Sequence, residues 1–553
     1  FVLEEDSSVG YRATSTLAGS RLRTPLRDVA SAIQVITQEF LEDTGATDTA
    51  ELLSYTLNTE VGGAQGNFAG GGSDTGGNRA DQNESRINPQ FNQRMRGLGS
   101  ATLTRDFFLT SIPMDTYNSK QVTINRGPNS ILFGVGSPAG IVDNALSKAT
   151  LAQNSGSVSA RVGSNGSFRA TVDWNQVLIP DRMALRVAGL KEELKYKQNP
   201  AYDKDQRIYA AVKGVLFKNE GSDFLDETVI RANFELGGME SNPPMVIPPR
   251  SLFHNWWTTL PSNYFEPYTG QTIPAIFTDN FVSQHTVDIA TAPNGTINTA
   301  TTPTLAWTTV FDQGALVFQN PDDQVPNAGS VSYPNANGLQ GRLTFYPGAK
   351  RYEWFSTQGA EGQNYATGFQ YPVIQDRNVF DYENQLFSGN TSLIERDFET
   401  YNVALEQLFF KKRNAGIEIA YDSQEWTPQW RMPVDDSLVS IYSNADIAID
   451  ISEKLGNGDP NPNLGRPYVR MYDFGGYSRQ QVEREAARAT AFYEFDFEDV
   501  MDSSLGKILG SHTVTGFYGT QSSTSDFRRY RASWGTDEVD RTTAFSGRHF
   551  FRP

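Results

Sequence analysis

The stretch Gln121-Val-Thr-Ile-Asn-Arg-Gly-Pro-Asn-Ser-Ile-Leu-Phe-Gly-Val-Gly-Ser-Pro-Ala-Gly-Ile-Val142 decides how the rest of the chain is read. It opens as a short strand and breaks at Arg126-Gly127-Pro128. It then reverses through Phe133-Gly134 and Ser137-Pro138-Ala139-Gly140 into a second strand. Pro128 fixes a turn, and Gly127 permits close backbone approach. Gly134, Gly136 and Gly140 let the chain double back without side-chain clash. On its own this is a Gly-rich hairpin of an α/β domain. It lacks the Lys-Ser/Thr of a phosphate-cradling loop and opens no helix, which argues against nucleotide binding.

Upstream the chain reads as mixed α/β. Ser31–Ile36 alternates like a strand, Thr37 caps a short helix over 38–43, and Gly45 ends it. Asp48-Thr-Ala-Glu51 has the form of a capping box ahead of Leu52-Leu53. Helices this short need a sheet to pack on. Residues 62–85 form a Gly-rich polar stretch, either a surface loop or a mobile ligand-contacting one.

Downstream, from about residue 155, the period becomes two. Ser167–Gln176 sets Phe168, Ala170, Val172 and Trp174 against Ser167, Arg169, Thr171, Asp173 and Asn175. Thr228–Gly237 sets Ile230, Ala232, Phe234 and Leu236 against Val229, Arg231, Asn233 and Glu235. Ala487–Glu498 sets Ala489, Ala491, Tyr493, Phe495 and Phe497 against Arg488, Thr490, Glu494 and Asp496. Weaker copies lie at 157–163, 183–192, 208–217, 401–410, 415–422 and 512–519. Such lengths, tilted, cross a bilayer. Alternation alone does not choose between a soluble sandwich and a membrane barrel. The links add to it: Asn165-Gly166 and Pro180-Asp181 mark tight turns, whereas about 238–397 holds few membrane-length strands. Hairpins are expected there over 305–318 and 339–346. Short turns at one rim and long loops at the other fit a barrel.

Composition narrows the classes. The 553 residues are 38% hydrophobic and 12% aromatic, with 48 glycines, a β-rich profile that argues against general disorder. There are 47 Lys and Arg against 64 Asp and Glu, a net charge of −17, which argues against a nucleic-acid partner. The absence of cysteine excludes disulfides and thiolate sites. The four histidines have no metal-ligand spacing, and no nucleophile elbow sits in a strand-to-helix context, so no metal, cofactor or enzymatic activity is expected. The chain begins at Phe1 and ends at Pro553 without a signal peptide, and is read as a mature protein or an internal fragment.

The 121–142 segment resembles the plug signature of TonB-dependent outer-membrane receptors. Met95-Arg96-Gly97-Leu98 is similar to the family's second Arg-Gly element. Thr24-Pro-Leu-Arg-Asp-Val-Ala with Ile33-Gln-Val-Ile-Thr37 resembles the first plug strand. Phe40–Ala46 and Glu51–Thr56 resemble the plug helices. The resemblance implies an α+β plug, with its N-terminal segment, over 1–150. Residues 151–553 then follow as the first part of a transmembrane antiparallel β-barrel, with the long extracellular region at about 238–397. The family barrel has about 22 strands, so the barrel is incomplete in this chain. Phe1–Asp6 would be at most the trailing edge of the energy-coupling box.

The implied function is outer-membrane uptake of a large scarce nutrient, a ferric siderophore first and an oligosaccharide next, with the plug pulled open by TonB working through ExbB and ExbD. The implied surroundings are outer-membrane lipids. The alternative is a β-rich extracellular carbohydrate-binding module. By resemblance, Arg96 and Arg126 are expected to latch the plug to the barrel wall, with Glu494 and Asp496 as partners. Gly97, Gly127, Pro128, Gly134, Gly136 and Gly140 form the plug signature. Ligand contact is expected from the plug apex and outer loops, around Arg94, Arg105, Phe107, Phe108, Tyr117, Trp256 and Trp257.

Overall fold

A computed structural model describes residues 10–18, 22–61, 88–91, 93–127, 137–219, 224–244, 377–378, 380–431, 477–497 and 504–530. It also gives the backbone of short strands at 250–251, 308–312, 315–319, 330–334, 339–346, 349–357, 446–449, 467–470 and 548–552.

The first unit is built on a five-stranded sheet. Its strands are β1 (Ala32–Thr37), β2 (Thr102–Arg105), β3 (Phe108–Leu109), β4 (Ser119–Arg126) and β5 (Gly140–Leu146), in the spatial order β1-β4-β5-β2-β3. Only the β2–β5 pair is parallel. Helix α1 (Gln38–Thr44) starts where Thr37 accepts the Phe40 N–H at 3.3 Å, and stops at Gly45 with φ +68°. At α2 (Thr49–Ser54) the Asp48 carboxylate accepts the Glu51 N–H at 2.8 Å. Glu51 reaches back to the Thr47 N–H at 2.7 Å, one residue earlier than a standard capping box. Leu41, Leu52 and Leu53 pack with Ile36, Val122, Ile124, Val142 and Met95, so the short helices owe their existence to the sheet beneath them.

The second unit is one nine-stranded antiparallel meander. Its strands are β6 (Ser155–Val162), β7 (Phe168–Ile179), β8 (Met183–Lys195), β9 (Tyr202–Lys218), β10 (Leu225–Asn242), β11 (Leu393–Phe409), β12 (Ala415–Arg431), β13 (Tyr477–Asp496) and β14 (Ser511–Arg529). Links at 180–182, 219–224, 410–414 and 497–510 lie at one rim. The long excursions 243–392 and 432–476 leave from the other. Thr308–Asp312 pairs with Ala315–Gln319, and Leu339–Tyr346 pairs with both Ser330–Pro334 and Ala349–Thr357. Strands β10 and β11 run inside the loop region expected at 238–397, and β13 starts ten residues before the alternation at 487 becomes clear. Beyond the apolar band both faces turn polar and the sequence period fades, yet the backbone ladder continues.

The apolar strand faces point outward. Val172, Trp174, Ile208, Leu236, Val403, Leu405 and Ile419 are exposed, while Arg169, Arg207, Arg231, Glu235, Glu406 and Glu418 are buried on the inner face. A sandwich would bury the apolar face, so the soluble carbohydrate-module alternative falls. Aromatic rings flank the band. Tyr401 and Tyr421 lie 6.1 Å apart on the long-loop side; Phe224 meets Phe409 at 5.3 Å, and Tyr493 meets Phe495 at 5.9 Å, on the short-turn side. From Tyr401 to Phe409, at about 3.4 Å per residue and tilted, the band stands about 20 Å tall, near that of an outer-membrane barrel. Leu405→Arg, in the middle of this band, should destabilise the complete barrel by about 2–4 kcal/mol in lipid. A denaturant titration of protein refolded in vesicles measures it; a shift no larger than that of an inward-facing substitution would contradict the outward assignment.

Candidate functional site: the seat of the plug in the barrel wall

One short plug segment, from Arg105 to Asn118, carries most of the contacts between the two units. Its hub is Glu235, which lies on the inner face of β10 and is fully buried. The Arg105 guanidinium pairs with this carboxylate, the Tyr117 hydroxyl donates to Oε1 at 2.7 Å, and Asn118 Nδ2 donates to Oε2 at 2.8 Å. Three plug donors therefore enclose one wall acceptor. Burial works against the Arg105 charge, but Glu235 beside it prevails and holds the guanidinium pKa above its ordinary value. Burial, then Glu235, pushes the Tyr117 phenol up, so it stays a proton donor.

A second clamp has the opposite polarity. Arg169 of β7 grips Asp115 with both terminal nitrogens, at 2.6 and 3.0 Å, and reaches Glu192 at 2.8 Å. Asp115 also accepts the Tyr117 N–H at 2.8 Å, which closes the 3-10 turn Thr116–Asn118 that presents Tyr117 and Asn118 to Glu235. The two clamps thus share one turn. Arg207 donates to the Pro113 carbonyl at 2.7 Å, and Tyr209 to the Ser147 carbonyl at 2.9 Å. Ile112 packs on Met239, Phe398, Trp426 and Val482 as the apolar part of the seat.

The latch expected from Arg96, Arg126, Glu494 and Asp496 is not what holds the plug here. Arg126 bonds Gln34 at 2.6 Å and the Leu57 carbonyl at 2.9 Å, both within the plug, and partial burial lowers its pKa. Arg96 lies exposed on a turn with φ +56°. Glu494 is exposed near the short-turn end of β13, where its backbone is bonded to Asn414, and Asp496 ends that strand. Strand polarity placed these acids on the inner face, but their height along the strand put them beside the turn rather than beside either arginine.

The expected ligand residues are likewise dispersed. Arg105 and Tyr117 belong to the Glu235 clamp. Arg94 pairs with Glu60 across the small hairpin Thr59–Val61/Gln93–Met95, which depresses the Glu60 carboxyl. Phe108 is buried against Ala404 and Ala420, with Arg488 4.3 Å above its ring. Phe107 lies on the short-turn side and lines a cavity between plug and wall. Trp256 and Trp257 lie outside the described residues, as do Pro128, Gly134 and Gly136 of the signature. Gly97, Gly127 and Gly140 adopt φ of +69°, +109° and +130°. Sequence reasoning had Arg169 and Glu235 on the polar strand face but not their partners, and it missed Asp115 and Arg207. The signal available was a lone charge in mid-strand. The partner, 130 residues away for Glu235, needed the fold.

A family model, the TonB-dependent Receptor Plug Domain, matches residues 25–141. The catecholate siderophore receptor Fiu of Escherichia coli is 28% identical over 191 residues, 34% of this chain and 23% of that receptor. The ferrichrome outer membrane transporter/phage receptor of Escherichia coli is 26% identical over 213 residues, 36% of this chain and 27% of that protein. Among solved structures, BauA, the ferric preacinetobactin receptor of Acinetobacter baumannii, superposes with a TM-score of 0.51 at 12% identity, covering 99% of this chain and 54% of that one. The matched regions thus span about a quarter of the curated relatives, and the chain spans about half of the solved receptor. Residues 25–141 match the TonB-dependent receptor plug and this plug sits inside an outward-apolar strand wall, which together support a TonB-dependent outer-membrane receptor, of which the chain carries the plug and, among the described residues, nine contiguous strands of the wall.

Proposed function

We propose that the protein imports a ferric siderophore across the outer membrane, with residues 1–150 as the gating plug and 151–553 as part of the barrel around it. The observation that carries this reading is the kind of seat the plug has. Its clamps are charged and hydrogen-bonded groups facing a polar lumen, so they can exchange partners with water as the plug moves. The plug's own apolar core is separate and can stay intact. TonB, energised through ExbB and ExbD, supplies the pull, and ligand binding on the long-loop side shifts the plug toward the state that TonB engages. Arg94, Trp256 and Trp257 remain in this proposal as ligand contacts. The relatives named for catecholate siderophores and ferrichrome support iron cargo ahead of an oligosaccharide.

Cells lacking their own siderophore receptors and expressing the complete protein test this with radioactive iron loaded on a catecholate and on a hydroxamate carrier. Uptake of one of them should be at least tenfold above vector controls and should vanish in a tonB deletion. Uptake indifferent to tonB, or transport of a maltooligosaccharide but of neither iron complex, would overturn it.

A further inference from the structure

On the short-turn side of the Glu235 clamp, plug and wall enclose a cavity of about 480 Å³. We propose that this chamber is an oxyanion-binding site, suited to a compact ligand bearing carboxylate or phosphate groups.

Its lining is the first reason. Lys120 and Lys148 of the plug and Arg186, Lys213, Arg231 and Arg488 of the wall face it, against the carboxylates of Asp106 and Glu418. Further carboxylates stand behind this lining: Asp173 pairs with Arg186, and Glu406 with Arg231. Glu418 is shared between Arg231 at 3.0 Å and Arg488 at 3.2 Å. Among the described residues, and with these partners counted, cations outnumber carboxylates, in a chain whose net charge is −17. Low-dielectric walls concentrate such a field, so the chamber attracts anions that the rest of the protein repels.

Unmet hydrogen bonding is the second reason. Gln121 lines the chamber, is 5% exposed, and its Nε2 donor has no partner among the described residues. The Nε of Arg488 is likewise buried without an acceptor among the described residues. Two buried donors left open in one cavity call for an acceptor-rich occupant, because an unsatisfied buried donor is costly. The volume suits a small ligand rather than a few waters. The turn Asp106-Phe107, with φ of +47° and +65°, borders the same space; the Phe107 N–H is bonded to Asp143 at 2.7 Å, which holds this sparsely populated conformation in place.

The site does not depend on which cargo the outer loops select. The test uses the complete receptor in detergent and pyrophosphate as the probe, followed by titration calorimetry at low salt. Saturable binding at one site is expected, weakening at least tenfold in the K148Q/K213Q double variant and as salt is raised. Gln121→Leu, which removes the open donor and no charge, should weaken binding severalfold. A retained heat-dependent gel shift shows that the barrels are intact. No saturable binding, or the same affinity in K148Q/K213Q as in the parent, would overturn the proposal. Because this readout needs neither cells nor TonB, its failure is distinct from failure of the uptake reading.

Discussion

Replacing Glu235 with leucine should loosen the plug from its barrel by about 3–5 kcal/mol, the usual cost of stripping one partner from a buried ion pair. The carboxylate is fully buried and satisfies Arg105, Tyr117 and Asn118 together. Its loss leaves a buried guanidinium, a phenol and an amide facing an apolar side chain. The barrel strands keep their ladder, since β10 is paired along its length to β9 and β11 through backbone groups. Damage should therefore be local to the seat. In cells, sensitivity to a large hydrophilic antibiotic such as vancomycin should rise, while the heat-dependent gel shift of the barrel persists. In vitro, the plug should be pulled out at lower force. The matching double variant, R105M/E235L, should recover much of the loss, because neither partner is then left charged and alone. If E235L cells stay as impermeable as the parent, the clamp does not hold the plug. If the double variant is as leaky as the sum of the singles, the two residues act independently.

The architecture was legible where the physics is local. Alternation from Phe168 to Trp174 needs only a strand with unlike faces, and the caps at Thr37 and Asp48 need only three or four residues of context. The seat of the plug was not legible, because it joins residues far apart in sequence by height along a strand. Glu235 and Glu494 are equivalent in pattern, both acids on a polar strand face. Glu235 stands in mid-wall opposite the plug, whereas Glu494 stands near the short-turn rim. Period two reports which face a side chain takes and is silent on height. Similarly, Phe107, Phe108 and Tyr117 read together as ligand contacts. The left-handed turn at Asp106-Phe107 instead separates Phe107, on the cavity lining, from Phe108, on the wall, and the 3-10 turn at Thr116–Asn118 takes Tyr117 to the Glu235 clamp.

Gly140→Ala should unfold the start of β5 and with it the plug sheet, a cost of about 3–5 kcal/mol when backbone strain and overpacking are taken together. At φ +130° the position lies where side-chain-bearing residues rarely go. A methyl there would sit 2.3 Å from the Asn125 carbonyl oxygen and 3.1 Å from Arg126 Cα. Both obstacles are backbone atoms of β4, so neither can rotate away as a side-chain tip would. The strand affected is also central: β5 lies between β4 and β2, and Gly140 is the residue paired with Arg126 at the end of that ladder. Gly97→Ala is the informative control. Its φ of +69° is also left-handed, but a methyl would enter open space, so only about 1 kcal/mol of backbone cost is expected. Hydrogen exchange on the intact receptor separates the two: protection over 121–126 and 140–146 should collapse in G140A and persist in G97A, with β10–β12 unchanged in both. Equal protection in the two variants would mean that β4 and β5 can part without loss, and that the close approach at Gly140 is not what the signature glycine is for.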